Sequence, residues 1–390
     1  MLFDDHKAKR VVVATLRGVG GGAPVAIVQW RQTSTRYIEH GGMAPMQADF
    51  NKPRGRTELL RQTEHMFRAF AMQAPNNFAA CLGSCYDLPE PRQAFEFADQ
   101  GVLGGALKTK DRRQPWHQAL IALPEKAQSA QRISLARGIA KGLAILHGEV
   151  PNHMNTTFAM CDFKADQYAI ASVPGACLGL ASRRPEEHCL TAKLIDLDFG
   201  LLSSEFSACG DISMRRVPPE GLKPYQDLKG EYSVSAQQRL VNYQLPAVLA
   251  SVFKVPTGHD EAGQPNKFLP LGPAETALRQ RLVAGLQHQS PSKRWNALRA
   301  WEELNRAAAS MFGATPELPS WQTHGELAAQ RAALIDPAWP SCDSSCDPTD
   351  APPEPCSAGV RWTESCRSQW ANVQHPPLIC EVDPDESKGR

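Results

Sequence analysis

Two short acidic segments constrain this chain more strongly than any other feature of its sequence. Residues 160–167 read Met-Cys-Asp-Phe-Lys-Ala-Asp-Gln, and residues 193–200 read Lys-Leu-Ile-Asp-Leu-Asp-Phe-Gly. Both stand beside residues that favour β-strands, over 168–172 and 193–197. Carboxylates on loops next to strands, one with a lysine two positions on, suit phosphoryl transfer, in which acidic groups orient a hydroxyl and hold Mg²⁺. The Asp-Phe-Gly at 198–200 alone fits an ordinary turn equally well, so the surrounding sequence has to decide.

The hydrophobic pattern around these segments predicts a mixed α+β fold. Residues 11–18 and 24–30 are β-rich runs around a glycine-rich turn, which is typical of a hairpin. Elsewhere, apolar residues at helical spacing predict helices, and short apolar runs between them predict strands. The predicted helices cover 57–72, 130–147, 236–253, 274–287 and 294–312, and the predicted strands cover 78–85 and 94–97.

Charge and hydropathy exclude two classes of partner. The chain has 42 Lys+Arg against 41 Asp+Glu, a formal net charge of +1, so no basic excess favours nucleic acid. No apolar run reaches the roughly 18 residues that a membrane crossing requires. We therefore expect neither nucleic-acid binding nor a membrane-spanning segment in this sequence.

The cysteines and the N-terminal residues favour different compartments. Eleven cysteines are many for a cytosolic protein of this length, and they favour a secretory or extracellular protein with disulfide bonds. Residues 1–6 are polar and acidic, unlike a signal peptide, which favours the cytoplasm or an incomplete N-terminus. Irregular gaps in the tail favour disulfides over a zinc site; the tail cysteines are Cys342, Cys346, Cys356, Cys366 and Cys380.

Further motifs follow one another in a fixed order along the chain. They read Val-Ala-Ile at 25–27, Ala-Pro-Asn-Asn at 74–77, Phe-Glu-Phe-Ala-Asp at 95–99, Pro-Pro-Glu at 218–220 and Ser-Pro-Ser-Lys-Arg-Trp at 290–295. With the two acidic segments and the helical pattern at 135–147, this order resembles the protein-kinase superfamily over residues 10–312. The acidic segments themselves are most similar to the divergent secretory-pathway kinases, the divergent-protein-kinase-domain and vertebrate lonesome kinase groups.

The resemblance implies ATP and Mg²⁺ as cofactors and gives roles to the acidic segments. Asp162 would orient the acceptor hydroxyl, and Lys164 would neutralise the transferred charge. Asp198 and Gln167 would hold Mg²⁺, with Asp196 as the alternative ligand because the Asp-Leu-Asp spacing allows a shift of two residues. The alternative for Asp162 is a loop aspartate that caps a local turn, and the alternative for Lys164 is a surface lysine.

The resemblance also implies roles for residues outside the acidic segments. Glu96 and Phe97 would belong to the hinge whose backbone contacts adenine, and Glu64 would be the helical glutamate that pairs with a phosphate-binding lysine. The alternative for Glu64 is an exposed helical glutamate. Glu220 and Arg294 would form a buried ion pair, and a protein substrate or a protein partner is implied.

Several positions depart from the family pattern. Val28 stands where the phosphate-binding lysine is expected, and the glycines at 18–22 lie between two strands, where a tight turn explains them better than a phosphate cradle. The residues ahead of Val11 are too few for an ordered first strand with its loop. Cys161 replaces the catalytic-loop arginine, and Val241 replaces an aspartate that would brace that loop.

We therefore expect a two-lobed α+β fold with an irregular tail. The β-rich N-lobe covers 1–98 and is either divergent or truncated, without a clear glycine-rich loop. The helical C-lobe covers 99–335, and the Cys- and Pro-rich tail covers 336–390. The expected function is a divergent phosphotransferase that moves the γ-phosphate of ATP to a hydroxyl acceptor. The alternative is a pseudokinase that binds or scaffolds without catalysis, which the missing lysine and glycine-rich loop favour.

Overall fold

The architecture combines one antiparallel sheet with a larger helical part. The computed structural model describes residues 3–4, 9–16, 23–30, 53–85, 92–104, 114–152, 154, 157–160, 163–174, 188–197, 200–202, 206–207, 217–226, 232–259 and 265–314. The tail at 336–390 and the glycines at 18–22 lie outside these residues. Among the described helices, none combines the length and the apolar character that a membrane crossing requires.

The sheet has five antiparallel strands in the order β1-β2-β3-β5-β4. Its strands are β1 (Phe3–Asp4), β2 (Lys9–Leu16), β3 (Ala23–Trp30), β4 (Cys81–Cys85) and β5 (Arg92–Glu96). β2 and β3 pair in continuous register from Lys9↔Trp30 to Leu16↔Ala23, which confirms the predicted hairpin. The expectation that no strand precedes Val11 is wrong, because β1 pairs with β2 through Phe3↔Val11 and Asp4↔Arg10.

One long helix supports this sheet. α1 (Pro53–Gln73) begins earlier than the predicted helix at 57–72, and a proline at its first position fits the helix start because that position needs no amide donor. Its apolar stripe buries Met66, Phe67 and Phe70. Phe67 meets Phe95 of β5 edge to face, with ring centroids 5.0 Å apart, so the helix packs directly on the sheet.

The helical part is built around a central helix that is largely buried. It contains α2 (Pro115–Ile121), α3 (Glu125–Leu146), α4 (Val234–Phe253), α5 (Pro273–Leu286) and α6 (Ala297–Phe312). α3 is buried on most of its circumference because other elements cover it on several sides, including α6 and β8. Arg294 precedes α6, although the pattern placed it inside that helix; Asn296 caps the helix instead, by accepting a hydrogen bond from the Arg299 amide.

Short paired strands complete the helical part. β6 (Phe158–Met160) pairs with β9 (Gly200–Leu202), and β7 (Tyr168–Pro174) pairs with β8 (His188–Leu194). Two further pairs join β10 (Phe206–Ser207) to β11 (Tyr232–Ser233), and β12 (Pro256–His259) to β13 (Pro265–Phe268). The strand predicted over 193–197 is therefore displaced towards the N-terminus: it ends at Leu194, because the next amide, that of Ile195, bonds outside the pair to the Gln167 carbonyl.

A single large hydrophobic cluster runs from the sheet into the helical part. It joins residues of α1, β4 and β5 to residues of α3, α4, α5 and α6. The α+β expectation is confirmed in this coarse form: a small antiparallel sheet and a set of helices share one core, an arrangement compatible with two lobes.

Candidate functional site

The strand pairs bring the two acidic segments to the same place. Met160, which ends β6, pairs with Gly200, which begins β9. Tyr168, which begins β7, pairs with Leu194, which ends β8. The segments 161–167 and 195–199 therefore both connect the β6–β9 pair to the β7–β8 pair, and their ends meet at these pairs. Asp162 and Asp198 belong to these segments, but both lie outside the described residues.

Three of the predicted site residues are described within these segments. The Ile195 amide donates to the Gln167 carbonyl oxygen at 2.9 Å. Asp196, the next residue, therefore lies close to Gln167. The Lys164 amide donates to Gln167 Oε1 at 3.3 Å, across a 3₁₀ turn at Ala165–Gln167. Gln167 is buried, whereas the Lys164 side chain is 45% exposed and its Nζ lies 3.9 Å from Asp166 Oδ2. The structure thus brings Lys164, Gln167 and Asp196 to one edge of the helical part.

A glutamine of α4 supports the strand that leads into the first acidic segment. Gln237 Nε2 donates to the Met160 carbonyl oxygen at 2.7 Å, and its side chain is fully buried. Gln238 Nε2 donates to the carbonyl oxygen of His147 at 2.9 Å. Val241 of α4 stands where the resemblance implies an aspartate that would support the first acidic segment. Gln237 lies one helical turn earlier on the same face, so the i, i+4 spacing was the signal that could have identified it.

Glu96 ties the end of β5 to the end of β8. Its Oε1 accepts from the Lys193 ammonium and from the Ala80 amide, the latter at 3.2 Å. The Lys193 side chain is only 7% exposed, so this carboxylate provides the counter-charge for a largely buried ammonium group. Glu96 therefore contributes its side chain to an internal ion pair. Any contact with a bound base at this position would come from its backbone, as the hinge resemblance implies.

The chain after Glu96, which we call the linker segment (residues 97–104), runs along β7. The Ile170 amide donates to the Gly101 carbonyl oxygen and the Leu103 amide donates to the Tyr168 carbonyl oxygen, both at 2.7 Å. Within the described residues, no backbone hydrogen bond is found for Phe97 or Ala98.

Glu64 forms its ion pair within its own helix. Arg68, one turn later on α1, places Nη2 against Glu64 Oε1. Cys81, at the start of β4, is buried beside this pair, and burial followed by the negative charge of Glu64 raises the pKa of its thiol to about 12. The thiol is therefore neutral and unreactive at physiological pH. Val28 packs against the main core, so this position of β3 contributes an apolar side chain to it.

The predicted ion pair between Glu220 and Arg294 is present. Arg294 Nη2 donates to Glu220 Oε2 at 2.7 Å, while Nη1 donates to the Tyr225 hydroxyl oxygen at 2.6 Å, and the hydroxyl in turn donates to Glu220 Oε1. The Arg294 guanidinium also lies 4.9 Å from the ring centroid of Tyr243 on α4. A bidentate ion pair of this kind fixes the segment around Glu220 against the helices.

The Glu220 carboxylate should make stability depend on acid. The hydrogen bond from Arg294 lowers its pKa from 4.5 to about 2. Because the folded-state pKa is depressed, the stabilisation is complete above the unfolded value and is lost as pH falls from about 4.5 towards 2. After allowance for solvent screening we expect about 1–2 kcal/mol. Unfolding measured at pH 6 and pH 3 should show this loss in the wild type and a smaller loss in Glu220→Gln. Equal losses in both proteins would contradict the assignment.

The described residues fit a divalent cation only in part. Gln167 Oε1 already accepts one long hydrogen bond, but an amide oxygen has a second lone pair for a ligand. Within the part of the chain that the structure describes, no group of three or more His, Cys, Asp or Glu side chains is positioned to hold a metal ion. A complete ligand set would therefore need Asp198.

Cys189 on β8 is disulfide-bonded. Its partner is outside the residues whose side chains the structure describes.

Comparisons with known proteins identify no relative. No family model matches the chain, and no curated protein matches its sequence. The assignment of a function therefore rests on the order of the motifs and on the geometry of the described residues.

Proposed function

We propose that this chain is a divergent member of the protein-kinase superfamily that binds Mg²⁺·ATP and transfers the γ-phosphate to a hydroxyl acceptor. The observation that carries the proposal is the double pairing of β6 with β9 and of β7 with β8. These pairs hold the two ends of the first acidic segment next to the two ends of the second, which supports a site formed by both segments. Phosphoryl transfer needs such a juxtaposition, because one carboxylate must act on the acceptor hydroxyl while another holds the metal on the phosphates.

In this proposal each residue of the site has one task. Asp162 orients the acceptor hydroxyl and accepts its proton, and Lys164 neutralises charge on the moving phosphoryl group. Gln167 and Asp198 hold the metal, with Asp196 as the alternative ligand. When bound, Mg²⁺ would supply charge neutralisation at the phosphate oxygens. The backbone of the linker segment at Phe97 receives the adenine ring, and Glu96 holds that segment against β8 through Lys193.

A second candidate function is supported by the ion pairs at the sheet. Glu64 pairs with Arg68, Lys193 pairs with Glu96, and β3 carries Val28. No lysine of the described part of β3 is therefore available for the phosphates. These observations favour a pseudokinase that uses the same fold as a binding module for another protein, with or without nucleotide.

Nucleotide binding is the first test of the proposal. Because a ligand stabilises the folded state by RT ln(1+[L]/Kd), saturation at 100 times Kd adds about 2.7 kcal/mol, which should raise Tm by several degrees. We expect this rise with ATP plus Mg²⁺ at millimolar concentration, and a smaller rise with ATP plus EDTA. An unchanged Tm under all nucleotide conditions would refute the nucleotide-binding proposal.

Turnover then separates the enzyme from the pseudokinase. We expect wild-type protein to release or transfer the γ-phosphate, and Asp162→Asn to lose at least about 100-fold of this activity while keeping the nucleotide-induced rise in Tm. Glu302→Gln, an exposed glutamate on α6, is the control and should behave like the wild type. A Tm rise without turnover in the wild type would favour the pseudokinase.

A further inference from the structure

The end of the linker segment lies unusually close to the first acidic segment. A Cβ placed on Gly104 would lie 2.8 Å from Ala165 Cβ, 2.8 Å from the Asp166 amide nitrogen and 3.0 Å from the Ala165 carbonyl carbon. Real Cβ atoms do not approach other atoms so closely, and two of these three atoms belong to the backbone. Gly104 does not have a positive φ, so the backbone conformation itself would accept alanine. The close approach to Ala165 and Asp166, rather than the backbone conformation, therefore requires glycine at position 104.

The linker segment cannot easily move away from this contact. Leu103, the residue before Gly104, is buried and its amide bonds to Tyr168 of β7. Val102 forms an antiparallel bridge with Ala169, and its carbonyl oxygen accepts a hydrogen bond from the indole of Trp116 at 3.1 Å. Trp116 is fully buried on α2. The segment is therefore fixed from both sides up to the residue next to Gly104.

The turn on the other side of the contact is closed internally by two long hydrogen bonds, although its last residue, Gln167, also accepts a hydrogen bond from the Ile195 amide at 2.9 Å. It spans Ala165–Gln167, and it is closed by the Gln167 amide donating to the Lys164 carbonyl oxygen and by the Lys164 amide donating to Gln167 Oε1. Both distances are 3.3 Å, at the long end of the hydrogen-bond range. Any added bulk at Gly104 should therefore displace this turn rather than the linker segment.

From this geometry we propose that Gly104 is a positioning residue for the candidate site. Its missing side chain lets the linker segment set the position of the turn that carries Lys164 and Gln167. The residue couples the segment that would receive the adenine ring to the residues that would act on the phosphates. The coupling to catalysis rests on the proposed kinase function, whereas the steric part does not.

The test compares Gly104→Ala with Gly272→Ala. Gly272 precedes α5, and the nearest atom to an added Cβ there is 3.8 Å away, so it is a matched control without a clash. In the nucleotide-free protein, hydrogen–deuterium exchange of peptides covering 163–170 should become about tenfold faster or more in Gly104→Ala. The free-energy cost of overpacking is typically of the size that corresponds to a tenfold change in an equilibrium constant. Exchange should stay unchanged in Gly272→Ala. Unchanged exchange in Gly104→Ala would overturn the proposal whether or not the protein binds nucleotide.

A rescue variant and a metal titration complete the test. Gly104→Ala combined with Ala165→Gly removes one of the three close contacts, and we expect it to fold and to recover part of the exchange protection. With ATP present, Gly104→Ala should need about tenfold more Mg²⁺ or more for the half-maximal rise in Tm and lose turnover, because small misplacements at a reacting centre cost up to ~100-fold. Faster exchange with an unaltered Mg²⁺ midpoint and turnover would refute the link to the site. Faster exchange in a protein that never responds to nucleotide would refute the proposed function and leave the steric contact standing.

Discussion

Replacing Arg132 by methionine is expected to lower the free energy of unfolding by about 3–5 kcal/mol, which is the range for breaking a buried ion pair. Arg132 on α3 is 0% exposed and Glu275 on α5 is 2% exposed. Arg132 Nε donates to Glu275 Oε1 at 2.7 Å, and Nη2 donates to Oε2 at 2.8 Å. The variant would leave the Glu275 carboxylate buried and without its counter-charge. Chemical denaturation of both proteins at the same pH measures the difference.

Two further variants separate the ion pair from general side-chain loss. Arg299→Met removes an exposed arginine whose partner, Glu302, is also exposed, and it should change stability by less than about 0.5 kcal/mol. Arg132→Met combined with Glu275→Gln should recover much of the loss, since no buried charge remains and the amide oxygen can still accept from the Gly272 amide. If the double variant were as unstable as the single one, packing rather than charge would explain the effect.

Phe78→Ala is expected to cost about 3–5 kcal/mol, as for other fully buried phenylalanines. Phe78 is 0% exposed and stacks on Phe70 of α1, with centroids 5.1 Å apart. It also forms a parallel bridge with Leu194, the last residue of β8. Phe78 therefore lies in the segment between α1 and β4, and it packs between α1 and the end of β8. Thermal or chemical unfolding measures the loss.

The same substitution at an exposed phenylalanine provides the control. Phe268 on β13 is 46% exposed, so Phe268→Ala should cost about 1 kcal/mol or less. Because Phe78 lies next to Asn77, whose carbonyl oxygen accepts from the Leu194 amide, its loss should also loosen the end of β8. If Phe78→Ala lowered the free energy of unfolding no more than Phe268→Ala does, the Phe78 side chain would not be part of the stabilising core.

Local patterns in the sequence predicted most of the regular structure. The hairpin of β2 and β3 has two β-rich runs around a glycine-rich turn, and the helices α1 and α6 have a clear apolar stripe at helical spacing, so their existence was predictable and only their ends differ. The strand predicted over 193–197 was displaced because its apolar residues continue past Leu194, whereas the hydrogen bonding changes partner there. The strand pair of β12 and β13 was missed because β13 is exposed along its whole length and so lacks a buried face that would produce alternation.

Long-range pairing was less accessible from the sequence. The ion pair of Glu220 with Arg294 was predicted through the motif order, but the pair of Glu96 with Lys193 was not, because nothing local links a residue of β5 to one of β8. Arg132 did carry a signal: it lies on the same helical stripe as Ala136 and Ile139, where a charged residue needs a buried partner. The partner itself, Glu275, could not be read from the sequence, because the packing of α5 against α3 was not known.

The attachment of α4 to the strand before Asp162 uses uncharged groups. Gln237 and Gln238 hold backbone carbonyl oxygens through amide N–H groups, which neither titrate nor attract counterions. The ion pair of Glu220 with Arg294, by contrast, weakens in acid, because the carboxylate with its lowered pKa is protonated as pH falls. Acidification should thus release the segment around Glu220 first, while the base of the first acidic segment keeps its support. The two attachments therefore differ in their response to pH.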